Sequence, residues 1–245
     1  MTQQKFNLDS YLESQFEKIN QQKMVGLIKI RFDDLFNDIN PYLLSCQTHY
    51  IVTFYDLVKN LLDAHLSSQE ETIFGEFLEG LAIYICGEVY HGRKSSAEGI
   101  DLEFTRDGIL YLISIKSGPN WGNSSQVKKM IDNFKKAQRI LRTNNPAVRI
   151  QAVNGCCYGR DAQPDKGDYL KLCGQAFWEF ISGDSDLYIE LIEPLGYQAR
   201  QKNEAFSLEY GRILNLFTLE VASQFSLNGS IDWQRLLRFN SGKTL

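Results

Sequence analysis

The feature that most constrains the fold is a change of hydrophobic period near residue 100. Residues 100–105 alternate apolar side chains with Asp, Glu and Thr, which is the two-residue period of a strand with one buried face. Residues 109–116 are almost entirely apolar and predict a strand at the centre of a sheet. Asp107 and Gly108 lie between the two runs, and this dipeptide favours a tight hairpin turn. We therefore expect a β-hairpin inside a sheet.

Most of the remaining chain has the 3.6-residue period of helices. This period predicts helices at residues 5–24, 32–46, 50–66, 70–90, 124–142, 169–182, 184–193 and 198–226. A third strand is predicted at 147–153, followed by a Gly/Asp/Pro-containing loop at 154–168. The order predicts an α/β fold in which helices flank a small mixed β-sheet, with helical additions at the N-terminal and C-terminal ends.

Composition indicates a folded chain that does not enter a membrane. The 245 residues are 43% hydrophobic and carry a net charge of −4, which excludes a disordered chain. Neither a membrane-length apolar run nor a secretory signal is present, so we expect a cytoplasmic protein. Five cysteines without C-x-x-C spacing predict free thiols rather than disulfides or a zinc site.

The absence of a Pro/Ser/Gly-rich linker predicts one domain over residues 1–245. Within it we expect a helical N-terminal part at 1–68, a catalytic core at 69–160 and a helical C-terminal part at 161–245.

Charge is distributed unevenly along the chain. Residues 116–160 contain nine Lys or Arg and one Asp, so this segment carries +8 and the other 200 residues carry −12. A basic tract on an acidic body favours binding to a polyanion, although a solvated helix face has the same pattern. Ser124 or Ser125 is the predicted N-cap of the basic helix, whose first N–H groups suit a phosphate.

Two residues of the hairpin could perform chemistry together. Asp101 lies at the start of one strand and Lys116 at the end of the next, so the hairpin places both at one edge of the sheet. A carboxylate beside an ammonium suits a divalent cation such as Mg²⁺ and the stabilisation of a phosphate that is attacked by water. The alternative interpretation is that both are ordinary surface charges at strand ends.

The sequence around these residues resembles the active-site hairpin of the PD-(D/E)xK nuclease superfamily. GIDLEF at 99–104 and YLISIKSGPNWGNSSQ at 111–126 are more narrowly similar to type II restriction endonucleases with an S-x-K variant and a KSGPN-type loop. CGQAFWEFISGDSDLYIELIEPLG at 173–196 is also similar to such enzymes. The resemblance implies a restriction-endonuclease-like core and Mg²⁺-dependent, site-specific hydrolysis of double-stranded DNA that leaves a 5′-phosphate.

The resemblance also implies a role for each matching residue. Asp101 would ligate the metal, Lys116 would be the catalytic lysine, and the Ile115 carbonyl would complete the metal shell. Ser114 occupies the third catalytic position, where most members carry Asp or Glu, so one charge at the metal is missing.

Another acidic side chain is expected to replace that charge. Glu79, on the helix before the hairpin, is the first candidate for a metal ligand. Glu103, on the same strand as Asp101, is the second, and Asp132, on the following helix, is the third. The sequence leaves their order open.

The expected partners are DNA, a second copy of the chain and a cognate DNA methyltransferase. DNA contacts are predicted at Ser117, Asn120, Asn123, Ser124, Gln126, Lys128, Lys129 and Arg160, with Asn154 and Gln163 as further base-reading candidates. A palindromic site mirrors a two-fold axis, which favours a homodimer. Two alternative functions remain open: a catalytically inert nuclease-fold DNA-binding protein and a structure-specific repair nuclease.

Overall fold

A computed structural model describes residues 7–37, 39–40, 51, 53–192 and 204–243. The chain divides into two compact units, the first formed by Met1–Gln15 and Phe74–Arg200, the second by Phe16–Ile73 and Gln201–Leu245. The prediction of one domain in three parts stays a prediction. No helix in the described ranges is both long and apolar enough to span a bilayer.

The described helices and strands have the following bounds. The helices are α1 (Leu8–Lys29), α2 (Phe32–Phe36), α3 (Phe54–Tyr90), α4 (Ser124–Asn144), α5 (Gln175–Ser182), α6 (Leu187–Glu190), α7 (Glu204–Phe225) and α8 (Trp233–Ser241). The strands are β1 (Arg93–Lys94), β2 (Leu102–Arg106), β3 (Ile109–Lys116), β4 (Arg149–Cys156), β5 (Leu170–Cys173), β6 (Ser226–Leu227) and β7 (Ser230–Ile231).

The first unit contains a five-stranded mixed sheet in the order β1-β2-β3-β4-β5. The strands β1, β2 and β3 pair antiparallel, whereas β3, β4 and β5 pair parallel. The predicted hairpin is confirmed as β2–β3, with Asp107 and Gly108 at φ of 52° and 72°, since a type I′ turn requires positive φ at both positions. β3 is central, and residues 112–115 are all buried. The α/β prediction is therefore confirmed.

Helices cover both faces of this sheet. α4 connects β3 to β4 and packs on one face through a buried cluster of Ile100, Leu112, Met130, Phe134, Ala137, Ala152 and Tyr169. On the other face, the ring of Phe177 in α5 occupies the space that a Cβ on Gly155 would need. Glycine in β4 therefore lets α5 approach the sheet closely.

Several predicted boundaries are wrong. α3 is continuous, because the polar Ser67 and Ser68 lie on its exposed face and do not interrupt it. The helix predicted from residue 169 begins only at Gln175, because residues 170–173 pair with β4 as strand β5. β1, the β6–β7 hairpin and α8 were not predicted.

The second unit is held together by a separate helical core. Its buried residues come from α1, α2, α3, α7 and α8, and include Leu27, Phe36, Leu62, Phe217 and Leu236. The predicted free thiols are confirmed for Cys86, Cys156, Cys157 and Cys173, which are all buried. Cys46 lies outside the described residues, as does most of the predicted helix end at 37–46.

Candidate active site

Asp101 lies at the sheet edge where β2 begins and β3 approaches its end. Its N–H donates to the Ile113 carbonyl at 2.8 Å. Its Oδ2 accepts hydrogen bonds from the Ile115 N–H at 2.6 Å and from Ser114 Oγ at 3.4 Å. The structure therefore brings Asp101, Ser114 and Ile115 together, and Lys116 follows directly on β3.

The surroundings of Asp101 act on its charge in opposite directions. Burial raises the pKa of this carboxyl above its ordinary value, and the nearby negative charge of Glu79 raises it further. The Ile115 N–H, the Lys116 ammonium and the Ser114 hydroxyl lower the pKa, but burial prevails. A cation placed here would favour the charged carboxylate.

Of the three acids that were expected to replace the charge absent at Ser114, Glu79 has a charge that acts on the pKa of Asp101. It is half-buried on α3, and its Oε1 lies 3.3 Å from Lys94 Nζ. Its charge raises the pKa of Asp101 and also, after the larger effect of burial, that of Cys157, which rises to about 12. Glu79 therefore lies near enough to Asp101 for its charge to act on that carboxyl.

The other two candidates are engaged or exposed. Both oxygens of Glu103 are bound, one by Arg93 at 2.8 Å and the other by Ser95 Oγ at 3.0 Å. Asp132 is exposed on α4.

The donors at this edge fit a hard divalent cation. The described residues contain no group of three or more His, Cys, Asp and Glu side chains that could hold a metal. Mg²⁺ does not need such a group, because it is usually held by one or two carboxylates together with water and substrate phosphate. Asp101 and Glu79, whose charge acts on the Asp101 carboxyl, would make two carboxylates. The Ile115 carbonyl points to the same side of β3 as the Ile115 N–H, which is the side of Asp101.

The ammonium of Lys116 contacts a residue that the sequence did not single out. Its Nζ lies 5.3 Å from the centroid of the Trp121 ring. The indole Nε1 donates to Asn154 Oδ1 at 3.0 Å, and Asn154 Nδ2 donates to the Ser114 carbonyl at 3.1 Å. Asn154 is 0% exposed, so the prediction that it reads a base is wrong. The parallel register that pairs Ser114 with Asn154 is not visible in the sequence.

The loop between β3 and α4 is fixed along its length. The Ser117 carbonyl accepts from the Tyr158 N–H at 3.0 Å, and the Pro119 carbonyl accepts from Lys171 Nζ at 2.9 Å. Gly118 lies against the Tyr158 ring, where a Cβ would clash. The loop is therefore held against the segment that follows β4.

The helix after this loop is capped differently from the prediction. Asn123, rather than Ser124 or Ser125, is the N-cap of α4. Its side chain accepts from the Gln126 N–H at 3.1 Å, while Gln126 Oε1 accepts from the Asn123 N–H at 2.9 Å. This capping box satisfies N–H groups at the start of the helix.

The residues predicted to contact DNA are mostly accessible. Seven of them are exposed, and Ser117 is half-buried beside Gly75 of α3. The seven are Asn120, Asn123, Ser124, Gln126, Lys128, Lys129 and Arg160. The structure also shows an exposed aromatic ring among them, since Tyr158 is 61% exposed.

Comparison with known proteins gives one family. The family model for type II restriction endonuclease EcoO109I matches residues 6–203, which include the hairpin, the loop and the basic helix. A search of curated proteins found no match. Type II restriction endonucleases cut double-stranded DNA at specific sites and generally use a divalent metal. The chain belongs to the type II restriction endonuclease EcoO109I family and is a site-specific deoxyribonuclease.

Proposed function

We propose that this nuclease uses Mg²⁺ and that its catalytic centre is the sheet edge formed by Asp101, Ser114, Ile115 and Lys116. The observation that carries the proposal is the contact of Asp101 Oδ2 with the Ile115 N–H at 2.6 Å. This contact fixes a carboxylate beside the end of β3, next to the only lysine of that strand. Glu79 supplies the second acidic ligand in place of the one missing at Ser114.

In this proposal each protein group has a separate role. Asp101, Glu79 and the Ile115 carbonyl would hold the metal ion. When bound, the ion would activate water and neutralise charge on the phosphate. Lys116 would donate a hydrogen bond to a non-bridging oxygen and stabilise the charge that develops there. Water would add to phosphorus and lose a proton as the bond between phosphorus and the 3′-oxygen breaks. The leaving 3′-oxygen would take up a proton and become the 3′-hydroxyl, while the other fragment keeps the 5′-phosphate.

DNA would lie across the loop and the start of α4. Lys128 and Lys129 are exposed and do not take part in the ion pairs of the described residues. Both can therefore neutralise backbone phosphates. Asn120, Ser124 and Arg160 would contact the same duplex, and the exposed part of Ser117 would lie nearest to the cut.

Asn123 and Gln126 are proposed as contacts through the groups that the capping box leaves unused. In each amide the oxygen is occupied, so the NH₂ group would donate to the DNA.

We further propose a homodimer in the cytoplasm, with a cognate DNA methyltransferase as its functional partner. Two protomers would cut the two strands of a palindromic site. Methylation of that site would protect the DNA of the host cell.

A digest of phage DNA by the purified protein tests the proposed function. We expect discrete bands with Mg²⁺, intact DNA with EDTA, and ends that carry 5′-phosphates. Host DNA modified by the methyltransferase should resist cutting. Intact phage DNA with every divalent metal, despite salt-dependent binding, would instead indicate a catalytically inert DNA-binding protein. A smear without fixed bands would indicate a structure-specific or non-specific nuclease.

A further inference from the structure

The catalytic lysine of the proposed site needs a partner that fixes its flexible chain. Two residues before Lys116 the chain has Ser114, at the position where the resemblance implies a carboxylate. Ser114 is 2% exposed, and its hydroxyl donates to Asp101. The ion pairs of the described residues do not include Lys116. The contact that the structure gives its ammonium is the indole face of Trp121, at 5.3 Å from the ring centroid.

Trp121 is itself fixed by the strand next to the catalytic one. Asn154, on β4, connects Trp121 to β3. Its Oδ1 accepts from the indole Nε1 at 3.0 Å, and its Nδ2 donates to the Ser114 carbonyl at 3.1 Å. A buried amide is costly unless its groups are hydrogen-bonded, and here both ends are used. The bridge therefore sets the orientation of the indole relative to β3.

The arrangement also fixes the chain on either side of the indole. Lys171 holds the Pro119 carbonyl at 2.9 Å, and Asn123 caps α4 two residues after Trp121. The ring packs against the core between α4 and the sheet. Trp121 thus presents a fixed π face to an ammonium within the distance at which such faces attract cations.

We propose that Trp121, oriented by Asn154, is a positioning residue that holds the Lys116 ammonium at the catalytic edge. The role rests on the proposed function of Lys116. With Ser114 in the position of a carboxylate, no acidic side chain two residues away can orient Lys116. In this proposal the Trp121 ring orients it instead. Trp121 acts through Lys116 and does not itself contact the reacting phosphate.

Two substitutions of Trp121 distinguish the contribution of the aromatic ring from that of its hydrogen bond to Asn154. Trp121→Leu removes both the π face and the indole N–H. Trp121→Phe keeps a π face and loses only the N–H. Trp233→Phe, at the start of α8 in the other compact unit, is the control for replacing a tryptophan. Circular dichroism and urea unfolding check that each variant folds.

The first measurement is single-turnover cleavage with protein in excess, together with DNA affinity in EDTA. We expect Trp121→Leu to cut about 10- to 100-fold more slowly, as a misplaced catalytic group does, with a Kd for DNA within about twofold of wild type. Trp121→Phe should lose less than about fivefold. A wild-type rate for Trp121→Leu would overturn the proposal. A Kd that weakens in proportion to the rate would also overturn it, because Trp121 would then be a DNA contact.

The second measurement does not depend on activity. Reductive ¹³C-dimethylation of the lysines keeps their charge, and Lys116→Arg identifies the Lys116 methyl resonance in metal-free protein. The indole ring current should shift this resonance upfield. The shift should disappear in Trp121→Leu and persist in part in Trp121→Phe. An identical resonance in Trp121→Leu and wild type would overturn the proposal. Failure of wild type to cut any DNA would refute the proposed function alone, since the resonance still reports the contact.

Discussion

Replacement of Glu79 by Gln tests which acid supplies the charge missing at Ser114. The substitution removes one negative charge and preserves the shape of the side chain. Two unit charges 4 Å apart interact by about 4 kcal/mol at an effective dielectric constant of about 20. The Glu79 side chain is 29% exposed and lies 3.3 Å from Lys94 Nζ, so water and that ammonium weaken its effect on a cation. We therefore expect the Mg²⁺ concentration for half-maximal cleavage to rise about 10- to 100-fold.

The assay is single-turnover cleavage of a duplex that contains the recognition site, measured over a wide range of MgCl₂ concentrations. Glu103→Gln is the matched control, because its carboxylate is already bound by Arg93 and Ser95. Asp132→Asn is a second control on the exposed face of α4. The reasoning is refuted if Glu79→Gln leaves the Mg²⁺ requirement unchanged while either control raises it.

Three further predictions concern pH, packing and salt. Burial raises the pKa of Asp101 in the folded protein above its value in the unfolded chain. The free energy of unfolding of the metal-free wild type should therefore fall by up to about 1.4 kcal/mol per pH unit as the pH rises from the unfolded to the folded pKa. Asp101→Asn should lack this loss in urea unfolding with EDTA; an unchanged pH dependence would contradict it. Arg106 lies over four aromatic rings and donates to the Phe180 carbonyl at 2.9 Å. Arg106→Met should therefore lower the free energy of unfolding by about 2 kcal/mol, and a change near zero in thermal or urea unfolding would rule out this role. Alanine at Lys128 or Lys129 should reduce the salt dependence of log Kd by about one unit of slope each; equal slopes would place these lysines outside the DNA interface.

The hairpin and the proposed catalytic pair were predictable because their signals are local. The Asp-Gly turn and the change of period fix β2 against β3 within about fifteen residues. Asp101 and Lys116 follow from that pairing. The basic helix was predictable for the same reason, since its apolar positions recur within one segment.

The parts that escaped prediction depend on pairings between distant segments. β5 is four residues long and carries no clear period, and it exists because it pairs parallel with β4. The Trp121–Asn154 bridge follows from the register of Ser114 opposite Asn154, 40 residues later in the chain. An asparagine followed by a glycine, at the end of the apolar run 152–153, looks like the start of a loop until that register buries it.

Cleavage by Lys116→Ala tests the central claim most directly, namely that the edge formed by Asp101 and Lys116 is the catalytic centre. The assay compares wild type with Lys116→Ala on DNA that has one mapped site, in the presence of Mg²⁺ and of EDTA. Lys29→Ala, which alters an exposed lysine of α1, is the control. We predict that Lys116→Ala binds this DNA and stays folded but cuts it at least about 100-fold more slowly, while Lys29→Ala cuts normally. Cutting by Lys116→Ala at the wild-type rate would contradict the account.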